Sequence, residues 1–326
     1  MNVCAALKIG TEERAMKRMV MRSVFVLLFV GITTLFVACN SSEPLSVRLE
    51  NKSEAKTAVS DSVKAPLRIG MGAMITPKEG YVYYQRLKEY IEKKLGQPVQ
   101  MVDRGNYTEM NRLMETGCVD MAFVCSGPYV EGKEKFGMEL LAMPLVKGKP
   151  IYYSYIIVPA DSPVRRFEDL RGKVFAFADP KSNSGKLVPT YMLSEMNETP
   201  ETFFSSFKFT YGHDISIHAV ADKLVDGAAV DSLIWEYIAM TTPELAAKTK
   251  IVAKSKPYGI PPVVVRPGLD PKLKLRLKEM LIGASSDAAG REILRGMMID
   301  RFVPGDDTNY NTIRSINAWL SGHRNK

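Results

Sequence analysis

A short polar turn, residues 182–185, carries the side chains best suited to chemistry in this sequence. The apolar residues before it, 173–178, predict a β-strand, and residues 186–193 predict a helix. The first turn of a helix holds N–H groups without internal partners, at the positive end of the helix dipole. Since the hydroxyls of Ser182 and Ser184 would lie beside those amides, the turn predicts a binding site for a tetrahedral oxyanion.

The turn has two other interpretations, a purely structural helix cap and a nucleotide-binding P-loop. Ser and Asn also cap ordinary structural helices, so the turn could serve the fold alone. A nucleotide-binding P-loop is not supported, because that motif ends in Gly-Lys followed by Ser or Thr, whereas Leu187 follows Lys186 here. Pro180 also replaces the first glycine of that motif.

Predicted strands and helices alternate through the first part of the chain, as in an α/β fold. In order, strands and helices are predicted at residues 67–72, 84–95, 99–102, 107–116 and 119–124. This order implies a mostly parallel sheet, in which ligands bind beyond the carboxyl ends of the strands. The loops 72–84 and 125–129 and the turn 182–185 would then lie at that edge.

The amino-terminal residues have the features of a secretory signal. Basic residues between positions 17 and 22 precede the apolar run 23–32, and a small residue, Ala38, stands directly before Cys39. This pattern resembles a bacterial lipoprotein signal, in which the Cys becomes the lipidated first residue of the mature protein. A single membrane-spanning anchor is the alternative, but the apolar run is short for the ~20 residues that a spanning helix needs.

Charge and cysteine content argue against several function classes. The formal net charge is +8, but the basic residues are dispersed and form no stripe of the kind that nucleic-acid binders carry. No Cys/His cluster has metal-ligand spacing, so no metal is expected. Cys118 and Cys125 flank the predicted strand 119–124, which would hold them ~23 Å apart, too far for a disulfide.

Five sequence motifs are each weak evidence for a protein family but are specific in combination. They are F-E-D-L-R-G-K at 167–173, F-A-D-P-K-S-N-S-G at 177–185, Y-x-x-L-x-x-Y-x-x-x-x-L-G at 84–96, Gly-His-Asp at 212–214 and V-D-G-A at 225–228. This combination, spread over about residues 67–266, resembles the phosphate/phosphite/phosphonate-binding protein family of ABC transporters.

The resemblance implies a type II periplasmic-binding-protein fold. Two α/β lobes with mostly parallel sheets and flanking helices would be joined by a hinge of two crossing strands, with the ligand in the cleft between them. The implied parts are a lipoprotein signal peptide at 1–39, a flexible tether at 40–65, a first lobe at 66–158 plus 252–326, and a second lobe at 159–251. The hinges would lie near Val158 and Ser255.

The resemblance also implies the ligand contacts. The residues at the matching positions are Ser182, Asn183, Ser184, His213, Tyr129 and one tyrosine of 81–84, taken here as Tyr83. A histidine in a Gly-His-Asp turn is often only a cap, but its place after the strand-like residues 207–209 favours a ligand role for His213. Asp231 follows the predicted strand 228–230 and could accept a proton from a protonated oxyanion or cap the next helix.

The expected ligand is a small phosphorus oxyanion without an amino group, namely phosphate, phosphite or a non-amino phosphonate. Family members that bind aminoalkylphosphonates place carboxylates where this chain has Leu233 and the pair Ile260-Pro261. The implied function is that of the solute-binding component of an ABC importer, without a cofactor. The protein would be a monomer, anchored by lipid in the periplasm or cell envelope, that delivers its ligand to a membrane permease.

Two alternatives stay open at this level. A ligand-binding sensor subunit of a membrane signalling system would share the same fold and site. An enzyme with Cys125 as nucleophile and His213 as base is the rival from another class. The sequence marks no third orienting group and no separate oxyanion hole for such an enzyme.

Overall fold

Two β-sheets joined by a two-stranded ribbon make up the part of the chain that the computed structural model describes, residues 65–72 and 78–323. The strands are β1 (Leu67–Gly72), β2 (Val99–Arg104), β3 (Met121–Phe123), β4 (Glu139–Leu145), β5 (Ile151–Tyr152), β6 (Ser154–Pro159), β7 (Val174–Phe177), β8 (Ser206–Phe209), β9 (Gly227–Asp231), β10 (Thr249–Lys254), β11 (Tyr258–Gly259), β12 (Val263–Val265) and β13 (Arg301–Pro304). The predicted signal at 1–39, its Cys39 and nearly all of the tether at 40–65 lie outside the described residues.

Helices follow most of the strands. They are α1 (Lys78–Leu95), α2 (Tyr107–Glu115), α3 (Ser126–Phe136), α4 (Val188–Ser194), α5 (Pro200–Phe203), α6 (His213–Ala221), α7 (Ser232–Thr241), α8 (Pro243–Ala246), α9 (Pro271–Gly283), α10 (Ala288–Gly296) and α11 (Asn311–His323). A π-helical turn, Asn183–Leu187, leads directly into α4. Among the residues that the structure describes, no helix is both long and apolar enough to span a bilayer.

The first sheet has the strand order β13-β4-β12-β3-β1-β2. Strand β1 pairs in parallel with β2 and β3, whereas β12 is antiparallel to β3 and β4, and β13 is antiparallel to β4. Helix α1 presents Leu87 and Ile91, one helical turn apart, to the same core as Ile69 and Phe123 of the sheet. This core supports the first lobe.

The second sheet has the strand order β10-β6-β9-β7-β8. Strand β7 is parallel to β8 and β9, and β6 is antiparallel to β9 and β10. Apolar clusters cover both faces, one around Ile217 and Ile234 and the other around Phe175, Phe177 and Phe203. Because both faces of the sheet are buried, the sequence of β7 is an unbroken run of apolar residues.

Both sheets are mixed, whereas the sequence predicts mostly parallel ones. The antiparallel strands β6, β10 and β12 flank the points where the chain passes between the lobes. Strand β6 carries the chain from the crossing into the second sheet and β10 carries it back towards the crossing, so these two paired strands run in opposite directions. Strands next to a crossing therefore join their sheets in the antiparallel direction.

The two lobes are connected by the antiparallel ribbon in which Tyr258 of β11 pairs with Tyr152 of β5. The predicted hinge position Val158 lies instead inside the buried strand β6, where it pairs with Lys250. The backbone N–H of Ser255 donates to Ser154 at 3.0 Å, so this position also belongs to the second sheet. The crossing thus lies at β5 and β11. The lobe limits at 158 and 252 stay a prediction, and the pairing of β6 with β10 favours limits near 153 and 256.

Candidate ligand-binding site

Helix N-termini from both lobes meet at the cleft. The helices α2 and α3 begin after β2 and β3, and the π-helical turn, α6 and α7 begin after β7, β8 and β9. The N–H of Tyr107, the first residue of α2, donates to Oδ2 of Asp179 at 3.2 Å. At the start of α3, an added Cβ atom on Gly127 would lie 2.6 Å from the carbonyl oxygen of Lys181. The positive ends of these helices therefore share one small region.

The turn predicted from sequence forms the centre of this region. Its π-helical winding is fixed by the N–H of Leu187, which donates to the carbonyl of Ser182 at 2.9 Å. The hydroxyl of Ser182 accepts from the N–H of Gly185 at 3.0 Å, so Ser182 is the cap of the turn. Ser182, Asn183 and Ser184 are all fully buried. The wider winding turns Asn183 and Ser184 away from solvent.

Three polar atoms of the cluster are buried and have no hydrogen-bond partner among the described residues. They are Oδ1 of Asn183, Oγ of Ser184 and Nε2 of His213. A buried polar group without a partner costs about 1–3 kcal/mol, and native proteins contain few of them. The groups are neighbours, because a Cβ atom on Gly185 would lie 3.0 Å from Cε1 of His213. Their concentration at one place points to a polar ligand.

The amide of Asn183 can serve a ligand in either orientation. Its Nδ2 donates to the hydroxyl of Tyr152 at 2.9 Å, which leaves Oδ1 without a partner. Because a tyrosine hydroxyl can donate as well as accept, a half-turn of the amide keeps this bond and presents Nδ2 to an anion instead. Asn183 can therefore accept from a protonated ligand or donate to an ionised one.

His213 is a neutral donor. Burial lowers the pKa of its imidazole from 6.5 to about 3, so the ring carries no charge at neutral pH. Its Nδ1 accepts the backbone N–H of Asp231 at 3.1 Å, which requires the ring proton to sit on Nε2. The buried Nε2–H thus has a hydrogen to give and no protein acceptor among the described residues.

Asp231 caps helix α7 beside this histidine. Its Oδ1 accepts the N–H of Leu233 at 2.7 Å, and the N–H of Ile234 also points at the carboxyl group. Burial, with a smaller contribution from the charge of Glu236, raises the pKa of the carboxyl from 3.8 to about 7, although the two backbone hydrogen bonds lower it. Of the two roles left open for Asp231, the structure shows the capping of α7, and near neutral pH the carboxyl group can also hold a proton.

Comparison with known proteins places this site in a family. The family model described as "ABC transporter, phosphonate, periplasmic substrate-binding protein" matches residues 69–310. The chain is 28% identical over 233 residues to the phosphonates-binding periplasmic protein of Escherichia coli, covering 69% of this chain and 68% of that protein. The chain belongs to this phosphonate-binding family. It is therefore a periplasmic substrate-binding protein of an ABC transporter. Proteins of this class bind small ligands and interact with a membrane permease.

Other relatives agree with this assignment. The chain is 33% identical over 164 residues to the phosphate-import protein PhnD of Mycolicibacterium smegmatis, covering 46% of this chain and 50% of that protein. A binding component of an ABC phosphonate transporter from Pseudomonas aeruginosa superposes with a TM-score of 0.74 at 24% identity, covering 78% of this chain and 86% of that one. The structure of PhnD1 of Prochlorococcus marinus in complex with methylphosphonate superposes with a TM-score of 0.71 at 17% identity. The match covers 78% of this chain and 98% of that one. The predicted two-lobed type II fold is confirmed.

Two tyrosines predicted from the family pattern lie elsewhere. Tyr129 is buried, but its hydroxyl donates to Oδ1 of Asp307 at 2.6 Å and its ring packs edge-on against Tyr310. Tyr83 packs against α10, where a Cβ atom on Gly296 would lie 1.9 Å from its ring. These contacts turn both tyrosines away from the polar cluster, so a ligand role is not supported for either.

Other tyrosines lie closer to the polar cluster or face the core beside it. Tyr152 is fully buried and is bonded to Asn183, and Tyr107 is buried near Asp179 and Asp231. Tyr84, beside Tyr83 in α1, is buried against Phe123 with ring centroids 5.2 Å apart. The position of Tyr107 directly after β2, at the carboxyl edge of the sheet, was the available sequence signal.

The charge character of the site is set by dipoles. No Lys or Arg is buried within the described ranges, and Lys186 of the π-helical turn places its ammonium over the ring of Phe177, 4.1 Å from the ring centroid. The described ranges contain no cluster of three or more His, Cys, Asp or Glu able to hold a metal ion. An anion here would be held by N–H groups and hydroxyls at helix N-termini.

Proposed function

We propose that this protein captures a small phosphorus oxyanion between its lobes for an ABC importer. The ligand would be a phosphonate without an amino group, phosphite or phosphate. The observation that carries the proposal is the set of buried, unpartnered polar atoms on Asn183, Ser184 and His213. The names of the relatives from E. coli and M. smegmatis, for phosphonates and phosphate, support this ligand class.

A phosphoryl group suits the donors of the cluster. Nε2–H of His213 and the hydroxyl of Ser184 can each donate to a different phosphoryl oxygen, and the dipoles of the helix N-termini favour the negative charge. Hydrogen bonds to a charged partner contribute about 1.5–3 kcal/mol each. A protonated Asp231 can add a further donor, and an ionised one can accept from a protonated ligand.

The same geometry supports binding without catalysis. Burial raises the pKa of the Cys125 thiol to about 11, so the nucleophilic thiolate is scarce at neutral pH. His213 holds its proton on Nε2 and uses Nδ1 to accept from Asp231, so it has no free lone pair for a general base. The Cys/His enzyme considered from sequence is therefore disfavoured.

We further propose that the protein works as a monomer in the periplasm, attached to a membrane by lipid on Cys39 and without a nucleic-acid partner. The support for the lipid anchor is the apolar run 23–32 followed by residues 35–39, which end in Ala38-Cys39, and the dispersed positive charge argues against a nucleic-acid partner. The anchor would keep the binding protein close to its permease.

Calorimetry of the wild-type protein and of Ser184→Ala with phosphate, phosphite, methylphosphonate and 2-aminoethylphosphonate tests the ligand class and the site. We expect methylphosphonate, phosphite or phosphate to bind, and Ser184→Ala to weaken that binding by about tenfold or more. The free energy of unfolding of this variant should not fall, because the hydroxyl that it removes is buried without a partner. Ser315→Ala, on the outer helix α11, is the matched control. Tightest binding to the aminophosphonate, or unchanged affinity in Ser184→Ala, contradicts the proposal.

A further inference from the structure

A buried carboxyl group of the second lobe is hydrogen-bonded to a helix of the first lobe. Asp179 follows β7 of the second sheet, and its side chain is buried. Its Oδ2 accepts the backbone N–H of Tyr107 at 3.2 Å, and Tyr107 is the first residue of α2, which follows β2 of the first sheet. This hydrogen bond therefore crosses the cleft between the lobes.

The cross-lobe hydrogen bond contributes to the capping of α2. The first N–H groups of a helix have no acceptor within the helix. Asn106, the residue before α2, accepts the N–H of Glu109 at 2.8 Å, and Asp179 accepts that of Tyr107. A carboxylate at this end of a helix also interacts favourably with the helix dipole. Opening of the lobes would separate the carboxyl group from the helix that it caps.

The local backbone fixes the orientation of the Asp179 side chain. Its Oδ1 accepts the N–H of Lys181 at 2.7 Å, and its carbonyl oxygen accepts the N–H of Ser182 at 2.9 Å. An aspartate that bonds to the backbone two residues on forms an Asx turn, which restricts its side chain. Because Ser182 begins the turn that carries Asn183 and Ser184, the carboxyl group and the proposed oxyanion donors belong to one continuous segment.

The carboxyl group of Asp179 is already occupied by hydrogen bonds within the protein. Each of its two oxygens accepts a backbone N–H. Burial raises the pKa of the group above 3.8, whereas these hydrogen bonds and the charge of Lys181 lower it. A carboxylate would repel an anionic ligand. Asp179 can therefore favour binding through the arrangement of the lobes and not through a contact with the ligand.

We infer that Asp179 is a positioning residue, which strengthens ligand binding by stabilising the closed arrangement of the lobes through its hydrogen bond to Tyr107. The inference rests on the proposed function, because it assumes that the ligand binds in the cleft. When a ligand binds only the closed form, its apparent dissociation constant is the intrinsic constant divided by the closed fraction of the protein. A contact that changes only this fraction changes the affinity for every ligand by the same factor.

Asp179→Asn removes the cross-lobe acceptor and keeps the turn. The amide oxygen can still accept the N–H of Lys181, but the NH₂ group that replaces Oδ2 cannot accept the N–H of Tyr107. In calorimetry, phosphate, phosphite and methylphosphonate should each bind the variant about tenfold or more weakly than the wild type. The ratios between their dissociation constants should not change. In solution scattering, the variant should reach the wild-type radius of gyration at a correspondingly higher methylphosphonate concentration.

Asp270→Asn is the matched control. Asp270 caps α9 within the first lobe, where its Oδ1 accepts the N–H of Leu273 at 2.8 Å. Asn caps a helix as well as Asp does, so this variant should bind every ligand with wild-type affinity.

Hydrogen exchange of the wild-type protein is a second test, which needs no substitution. The N–H of Tyr107 should exchange more slowly when methylphosphonate is bound, because Asp179 covers it in the closed form. Exchange that the ligand does not slow overturns the inference.

The affinities of Asp179→Asn decide between the alternatives by their sign. Unchanged or tighter binding overturns the inference, and tighter binding is the result expected if the carboxylate faced and repelled the anion. Altered ratios between the ligands also overturn it, because Asp179 would then contact the ligand. If no phosphorus ligand binds the wild type, the proposed function itself is rejected.

Discussion

Titration of the Asp231 carboxyl group should control the affinity for the ligand. Its pKa of about 7 means that it loses its proton within the physiological range. A protonated Asp231 can donate to a phosphoryl oxygen, whereas an ionised one repels an anion. We therefore expect the affinity for methylphosphonate to fall as the pH rises above 7, by at most about tenfold per pH unit.

Asp231→Asn separates this effect from titration of the ligand. The amide stays neutral, and Asn is an equally good cap for α7. Calorimetric affinities of both proteins between pH 6 and 8.5 give two curves, and their difference cancels the ligand's own ionisation. If the two curves are parallel, Asp231 does not titrate in the binding reaction.

Cys39 is the residue on which the proposed membrane attachment depends. If it is lipidated after cleavage behind Ala38, Cys39→Ser should abolish incorporation of a labelled fatty acid into the protein. Fractionation of cells should then find the variant released from membranes. Incorporation at the wild-type level in Cys39→Ser would show that the anchor lies elsewhere.

The strands of the first sheet are connected by an ion cluster around the buried Asp120 that should matter for stability. Asp120 has a side chain that is 9% exposed, and it forms salt bridges with Arg68 of β1 and with Arg266, just after β12. Burial opposes its ionisation, but the hydrogen bonds from Arg68 and Arg266 outweigh burial and lower its pKa. Since the folded carboxyl has a lower pKa than the unfolded one, its stabilisation is present above pH 3.8 and is lost as the pH falls below it.

Asp120→Ala should lower the free energy of unfolding by about 1.5–3 kcal/mol, because it removes the charged hydrogen bonds that hold Arg68 and Arg266. Glu292→Ala is the matched control, since it removes the exposed salt bridge between Glu292 and Arg86 and should cost at most about 1 kcal/mol. Denaturant unfolding at pH 7 measures both. Similar losses of unfolding free energy in the two variants would mean that the cluster around Asp120 contributes no more to stability than an exposed salt bridge.

The strand and helix on either side of the turn 182–185 could be predicted from sequence, because the patterns that indicate them are local. The apolar run of β7, the serines of the turn and the following helix pattern lie within about twenty residues. The capping of α7 by Asp231 was, for the same reason, one of the two roles that the sequence offered for this residue. Such patterns depend on backbone geometry that neighbouring residues determine.

The orientation of the aromatic residues could not be read in this way. Tyr83 and Tyr84 are adjacent on α1, and which of them faces the cleft depends on the packing of Tyr83 against Gly296. Tyr129 is turned by Asp307, a residue 178 positions away. The mixed sheets likewise follow from where the chain crosses between lobes. Each of these features depends on contacts between distant parts of the chain.

At the scale of the whole molecule, the contacts across the cleft describe a closed arrangement. Gly127 of α3 lies against the carbonyl of Lys181, and the ammonium of Lys181 forms a salt bridge with Glu131 at 2.7 Å. We predict that the lobes open about β5 and β11 without ligand and close when it binds. Solution scattering should show a smaller radius of gyration with saturating methylphosphonate, and identical curves would contradict closure.

Gly127→Ala should specifically disfavour the closed arrangement. The added Cβ atom would lie 2.6 Å from a backbone oxygen of the other lobe, which cannot move independently of the turn. We expect the affinity to fall by about tenfold or more and the ligand-induced decrease in radius to shrink. Gly283→Ala, where no atom lies within 4 Å of the added Cβ, should behave as the wild type. Wild-type affinity in Gly127→Ala would mean that this contact is not part of the bound state.

The convergence of helix N-termini from two bodies has a consequence for how cargo leaves. The dipoles of α2 and α3 move with one lobe, and those of the π-helical turn, α6 and α7 move with the other. Opening by even a few ångströms removes one set of dipoles from the anion and admits water to the rest, because dipole interactions fade within about a helical turn. A permease that pries the lobes apart therefore needs no competing cation to extract the anion. Mechanical separation alone would turn a tight binder into a weak one.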